Sequence, residues 1–223
     1  MNIITLIPAR AGSKGIKNKN IILFNKKPLI SHTIIISKKS SLISDTYVWT
    51  NSKKISNISK KFGAKVPLLR PEKISGDKSL DIEVMKHFYN WYLKNFRKKI
   101  DLIVHLRATS PFRKIKFINK AIRLMIKNKS YSSLRSFKIS KITPFKMWKK
   151  NKNKAIPLLQ TKKELHSFGR QFLPKIYIHA GYIDILRPER TIMKNSMVGN
   201  KTFFYEINNK EKYIDIDTKK DLQ

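Results

Sequence analysis

Two groups of residues in this chain could do chemistry, and they lie near its opposite ends. The first is a run of cations around Gly12 and Gly15, namely Arg10, Lys14 and Lys19, which follows the apolar segment Ile3-Ile4-Thr5-Leu6-Ile7. A strand that opens into a glycine-bearing basic loop can hold phosphate. The strand fixes the loop, glycine lets the backbone approach an anion, and Arg and Lys supply charge. The string is neither G-x-G-x-x-G nor G-x-x-x-x-G-K-[ST], so the mechanisms of those patterns do not transfer. A plain basic turn after a first strand fits it too, and spacing alone leaves both readings open. The second group is Asp215 and Asp217. Residues two apart in a strand project to one face. Two carboxylates so placed can grip one hard cation, which takes oxygen ligands. The pair stands out in a chain with 14 acidic residues against 49 Lys and Arg.

Other chemistries find little support. Cysteine is absent, which excludes disulfides, zinc–thiolate sites and thiol nucleophiles. The five histidines are dispersed without H-x-x-x-H or H-E-x-x-H, so no zinc site is expected. His105 falls on a predicted central strand and reads as a hydrogen-bonded core group. Ser13 beside Lys14 has no base placed to activate it.

The elements that must position these residues alternate between strand and helix. Strands are predicted at Ile3–Ile7, Thr46–Thr50 and Leu102–Leu106, with Val66–Leu69 extended. Helices are predicted at Pro28–Lys39, Ser52–Phe62, Asp77–Phe96 and Lys114–Lys127, with Asp77 as a candidate N-cap of the longest. This order argues for an α/β fold with a mostly parallel sheet covered on both faces. Further strands are expected at Ser132–Phe137, Tyr177–Leu186, Phe203–Ile207 and Tyr213–Ile216. The polar, lysine-rich stretch at 138–168 reads as an excursion within a single domain covering 1–223.

The net charge of +35 suggests nucleic acid or a membrane surface. However, the lysines are spread through nearly every segment and travel with isoleucine and asparagine, as composition drift in an A/T-rich genome produces. No nucleic-acid motif is present and the aromatics do not alternate with a basic stripe, so no specific nucleic-acid partner is expected. No apolar run approaches the ~20 residues needed to span a bilayer. The N-terminus does not read as a secretory leader, and a cytoplasmic protein is expected.

The string Ile7-Pro8-Ala9-Arg10-Ala11-Gly12-Ser13-Lys14-Gly15-Ile16-Lys17-Asn18-Lys19-Asn20 resembles the N-terminal signature of the acylneuraminate cytidylyltransferases. So do Leu69-Arg70-Pro71, Thr109-Ser110-Pro111-Phe112-Arg113 and Ile214-Asp215-Ile216-Asp217-Thr218, in the same order and at similar spacing. The resemblance implies a Rossmann-like nucleotide-diphospho-sugar transferase fold and a homodimer whose 138–168 arm packs on the second subunit. It implies transfer of CMP from CTP to the anomeric hydroxyl of a nine-carbon keto-acid sugar, a nonulosonate, with Mg²⁺. Arg10, Ser13, Lys14, Lys19, Asn20 and Arg70 then face the nucleotide. Arg10, Lys14, Lys19 and Asp217 carry catalysis, and Asp215 and Asp217 hold the metal. Arg107, Thr109, Ser110, Arg170 and Gln171 fall on the sugar side. Such relatives continue into a terminal helix beyond the point matching Gln223.

The chain departs from the pattern in three places. Arg107-Ala108 replaces the usual Gln-Pro, Asn51 replaces Asp, and Ala180-Gly181 replaces Asn-Gly. The first and third touch the expected sugar pocket and imply an acceptor other than N-acetylneuraminate, of legionaminate or pseudaminate type. A sister enzyme for Kdo or another sugar acid, and an inactive relative that binds anions or nucleic acid, are the competing readings.

Overall fold

The structure is a computed structural model that describes residues 1–12, 15–207 and 214–222. In chain order its elements are β1 (Ile3–Pro8), a small hairpin β2 (Leu23–Phe24) and β3 (Lys27–Pro28), α1 (Leu29–Lys38), β4 (Asp45–Trp49), α2 (Lys53–Lys61) and α3 (Asp81–Phe96). There follow β5 (Leu102–His105), α4 (Ile115–Lys127), β6 (Ser133–Ile139), a second hairpin β7 (Trp148–Asn151) and β8 (Lys154–Pro157), then β9 (Tyr177–Leu186) and β10 (Thr202–Glu206). Six strands form one sheet in the order β10-β6-β9-β5-β1-β4. All neighbours are parallel except β9, which runs antiparallel to both β5 and β6.

Alternation along the strands explains why they read as unbroken apolar runs. In β1, Ile3 and Ile7 join a core with Ile30, Ile34, Ile55, Ile118 and Met125 from α1, α2 and α4. Ile4 and Leu6 point the other way and pack with Val84, Met85 and Phe88 of α3 and with Tyr47 and Trp49 of β4. A strand buried on both faces needs apolar residues at every position, which is the mark of a parallel sheet sandwiched by helices. Polar residues in the α1 stripe are absorbed by hydrogen bonds: Ser37 Oγ donates to Thr5 Oγ1 at 2.8 Å and lies 2.7 Å from Thr46 Oγ1.

The ends of α2 follow local chemistry. Ser52 Oγ accepts the Ile55 N–H at 3.3 Å, satisfying one of the free donors of the first turn. Ser52→Ala is expected to lower stability by about 1 kcal/mol, read from a urea melt.

Two predicted elements differ. The long helix begins at Asp81, not Asp77; the Glu83 carboxylate accepts the Leu80 N–H at 2.8 Å, and Asp77 is engaged elsewhere. No strand forms over the described residues 214–217, which are irregular; Tyr213 lies outside the described residues. The 138–168 stretch departs from the sheet as expected and contains β7 and β8. Among the described residues no helix is long and apolar enough to cross a membrane.

Candidate active site

The chain leaves β1 for β4 on one side and reaches β5 on the other, so the strand order reverses at β1. Open α/β sheets bind ligands beyond the carboxyl ends of strands at such a switch point. A cleft of about 380 Å³ opens there, lined by Pro8–Arg10 at the end of β1, by His105 and Arg107–Thr109 at the end of β5, and by Lys19, Arg70, Asp215 and Asp217, among others.

Residues about 200 positions apart in the chain meet in this cleft. The Lys19 ammonium lies 2.6 Å from Asp217 Oδ1. The approach depends on Gly15: a Cβ there would sit 2.6 Å from the Asp217 carbonyl oxygen. Glycine is therefore required where the N-terminal loop passes the late aspartates. Ile216 N–H donates to the Thr109 carbonyl at 2.9 Å, which aligns the irregular segment without a strand. Asp215 and Asp217 both reach the cleft, with Ser110 Oγ 3.4 Å from Asp215 Oδ1. Asp221 holds the next turn, accepting the N–H groups of Asp217 and Thr218 at 3.1 and 2.7 Å. These bonds to Thr218 hold the Asp221 carboxyl below its ordinary pKa.

Arg10 Nη1 lies 2.5 Å from Asp77 Oδ1, which explains why Asp77 does not cap α3. The buried Asn20 donates to the Arg10 carbonyl at 3.0 Å and so shapes the loop. Asn51, the departure noted above, accepts the Ala11 N–H at 2.9 Å and donates to the Glu72 carboxylate. Arg70 is buried; its Nε donates to Ser75 Oγ at 2.9 Å, while Nη2 is buried with no hydrogen-bond partner among the described residues. Burial, and next the charge of Arg10, push its pKa down. An unsatisfied guanidinium group on a cleft wall is a donor waiting for an acceptor. Arg107 rests its guanidinium on Gly181: a Cβ on Gly181 would stand 2.5 Å from Nη1. One departure, Arg107, thus packs on the glycine that the usual Asn-Gly pair also has.

The cleft gathers Arg10, Lys19, Asn20, Arg70, Arg107, Thr109, Asp215 and Asp217 from the expected set. Ser110 stands beside Asp215, and Ser13 and Lys14 lie outside the described residues. Arg170 does not line this cleft; it belongs to a separate depression with Lys141, Thr143 and Pro174 near the base of the arm, and Gln171 packs its amide back on Gly169. Sequence reasoning missed Ser79, Asp81 and His105, which also line the cleft. No periodic signal marks a residue that reaches a site from a helix start or a buried strand.

This fold is that of the nucleotide-sugar transferases. A CMP:2-keto-3-deoxy-manno-octonic acid synthetase solved with CTP matches with a TM-score of 0.66, covering 98% of this chain and 94% of that one at 14% identity. The family model described as cytidylyltransferase matches residues 4–220, and the chain belongs to that family. A CMP-N,N'-diacetyllegionaminic acid synthase of Legionella pneumophila is 38% identical over 126 residues, 56% of this chain and 53% of that protein. A post-translational flagellin modification protein B of Campylobacter coli is 27% identical over 99% of this chain and 92% of its own length. The aligned part of the chain spans about half the length of the Legionella relative, and less of an N-acylneuraminate cytidylyltransferase of Escherichia coli, at 28%.

Proposed function

We propose that this protein transfers CMP from CTP to the anomeric hydroxyl of a nonulosonate, releasing pyrophosphate. The observation that carries the reading is the convergence of the N-terminal cations and the late aspartates in one cleft at the switch point. Arg10, Lys19 and Arg70 face the nucleotide; Ser13 and Lys14, outside the described residues, are assigned to it by the family motif alone. Arg10 and Lys19 are held by carboxylates that phosphate oxygens can displace, since exposed ion pairs are worth little. The hydroxyl attacks the α-phosphate, the new O–P bond forms as the bond to pyrophosphate breaks, and no covalent enzyme intermediate is required. The chain's contribution is alignment and charge neutralisation.

Asp215 and Asp217 are the residues that would hold Mg²⁺. Among the described residues no cluster of three or more acidic or histidine side chains could hold a metal alone. Magnesium fits nonetheless, because it is commonly bound by one or two carboxylates plus substrate phosphates. When bound it would neutralise charge on the phosphates.

On the acceptor side, Arg107, Thr109 and Ser110 surround the sugar, and Arg107 offers a bidentate partner to its carboxylate. Arg107 and Ala180 in place of the usual Gln and Asn, and the similarity to the Legionella protein, favour a legionaminate- or pseudaminate-type sugar. Gly181→Ala is expected to displace the Arg107 guanidinium. The KM for the acceptor should rise about tenfold, roughly 1.4 kcal/mol, with the KM for CTP unchanged. We also propose a homodimer built on the arm, which exposes Ile142, Trp148 and Phe168 at 67%, 49% and 40%. Arg170 and Gln171 lie outside the cleft, so as sugar contacts they would serve the neighbouring copy. A cytoplasmic location is part of the same proposal, since a CTP donor supports it.

Pyrophosphate release with each of four nucleoside triphosphates and a panel of keto-acid sugars, with and without Mg²⁺, tests the reading. Turnover is expected with CTP, a nonulosonate and Mg²⁺. No turnover with any pair overturns the assignment, and best use of N-acetylneuraminate overturns the narrower acceptor.

A further inference from the structure

The reaction proposed above must remove a proton from the attacking hydroxyl, and nothing assigned so far takes it. His105 is 4% exposed at the carboxyl end of β5, yet it lines the cleft between Arg107 and the start of α3. Its Nδ1 is buried and has no hydrogen-bond partner among the described residues. Behind it stands an acid that the reading has not used. Asp184 of β9 is the cross-strand partner of His105, is 4% exposed, and brings Oδ2 to 3.8 Å from His105 Nδ1. Its Oδ1 is 2.8 Å from His179 Nε2. On the other flank Asp184 pairs in register with Arg135 of β6, whose Nε is buried without a hydrogen-bond partner among the described residues.

A buried carboxylate between two imidazoles and a guanidinium is costly unless paired. Here the inner imidazole faces the cleft. We infer that His105 is a catalytic residue that accepts the proton of the acceptor hydroxyl, with Asp184 and His179 as positioning residues behind it. The inference rests on the nucleotidyl-transfer reading. As the hydroxyl oxygen bonds to the α-phosphorus, the electron pair of the broken P–O bond leaves with pyrophosphate. The hydroxyl proton passes to the imidazole and then to solvent. Asp184 on the Nδ1 side favours the tautomer whose Nε2 lone pair is free. The 3.8 Å separation is longer than a hydrogen bond, and catalytic contacts of this kind tighten when substrate closes the site.

The charges around the ring set its protonation. Burial pushes the His105 pKa down; Asp184 and, from α3, Asp81 oppose this, while Arg107 and Arg113 add to it. The net direction is downward, so the ring is neutral at neutral pH and able to accept a proton. Burial pushes the Asp184 carboxyl up, but the hydrogen bond from His179 and neighbouring positive charge, Arg135 included, outweigh it and hold it below the ordinary carboxylate value.

The test measures pyrophosphate release by the full chain at saturating CTP and acceptor across pH, with CTP binding by calorimetry as the check on folding. The wild type is read first; absence of turnover with every acceptor defeats the underlying reading and not this one. Given turnover, the wild-type rate should fall as pH drops below the ordinary histidine range. His105→Gln should lose roughly 10²-fold in kcat, lack that limb and still bind CTP. Asp184→Asn removes the charge that raises the ring's pKa, so its acid limb should move to lower pH. His105→Ala should regain turnover with added imidazole. A His105→Gln variant within threefold of wild type, or a wild-type profile without an acid limb, overturns the inference. If His105→Gln no longer binds CTP, the limb of Asp184→Asn decides: a downward shift supports the role and an unmoved limb overturns it.

Discussion

Asp217→Asn is expected to abolish turnover, by roughly 10³-fold or more if a carboxylate holding the catalytic cation is lost, while the fold survives. Asp217 lies in an irregular segment with its side chain 64% exposed, and its main partner is Lys19 at 2.6 Å. A pair of this kind contributes about 1 kcal/mol or less, so the melting temperature should stay close to that of wild type. The backbone of residue 217 is tied to Asp221, and asparagine leaves that bond intact. Freeing Lys19 should not weaken triphosphate binding, because the ammonium then has no protein carboxylate to compete with phosphate. The expected signature is therefore lost kcat with retained CTP binding. Activity within tenfold of wild type at saturating Mg²⁺ would remove Asp217 from the metal site.

That prediction was legible in the sequence, although part of its reasoning was not. A D-x-D pair in a strand suggested two carboxylates on one face, whereas residues 214–217 form no strand. What directs them to the cleft is tertiary: Gly15 lets the loop touch the Asp217 carbonyl, and Thr109 accepts the Ile216 N–H. The strands and helices themselves were readable because burial on both faces, or on one, imprints a period. Strand direction leaves no such imprint. Tyr177–Leu186 is apolar enough for a parallel sheet, yet β9 runs antiparallel and thereby sets Asp184 opposite His105. No local pattern announces that pairing, so His105 looked like ordinary core. Asp77 shows the converse: it has the residue type and position of an N-cap, and a salt bridge to Arg10 claims it instead. The candidate residues of the basic loop and Arg70 were picked out through motif strings, since spacing alone could not separate a phosphate cradle from a basic turn.

Arg113→Ala is expected to lower stability by roughly 3–5 kcal/mol, for a reason that its place in Thr109-Ser110-Pro111-Phe112-Arg113 conceals. An arginine beside the proposed nucleotide cleft looks like a substrate contact, but this one is 5% exposed and turned into the protein. Its Nε donates to the Tyr182 carbonyl at 2.5 Å. Nη1 donates to the carbonyls of Arg107 and Ser110 at 2.7 and 2.8 Å and to Thr33 Oγ1 at 3.0 Å. One guanidinium thus ties the loop after β5 to α1 and β9. Alanine would leave these oxygens buried with fewer donors, and charge-assisted bonds are the costly ones to lose. For a chain of this size each kcal/mol lowers the melting temperature by about 2–4 °C, so a fall on the order of 10 °C is expected by calorimetry. Lysine should recover only part of this, because a point charge cannot reproduce the fork. Activity should fall with stability even below the melting point, since Arg107 and Thr109 sit on the released loop and the acceptor side would lose its shape. A melting temperature within about 2 °C of wild type would show that the loop is held by its packing and not by the guanidinium.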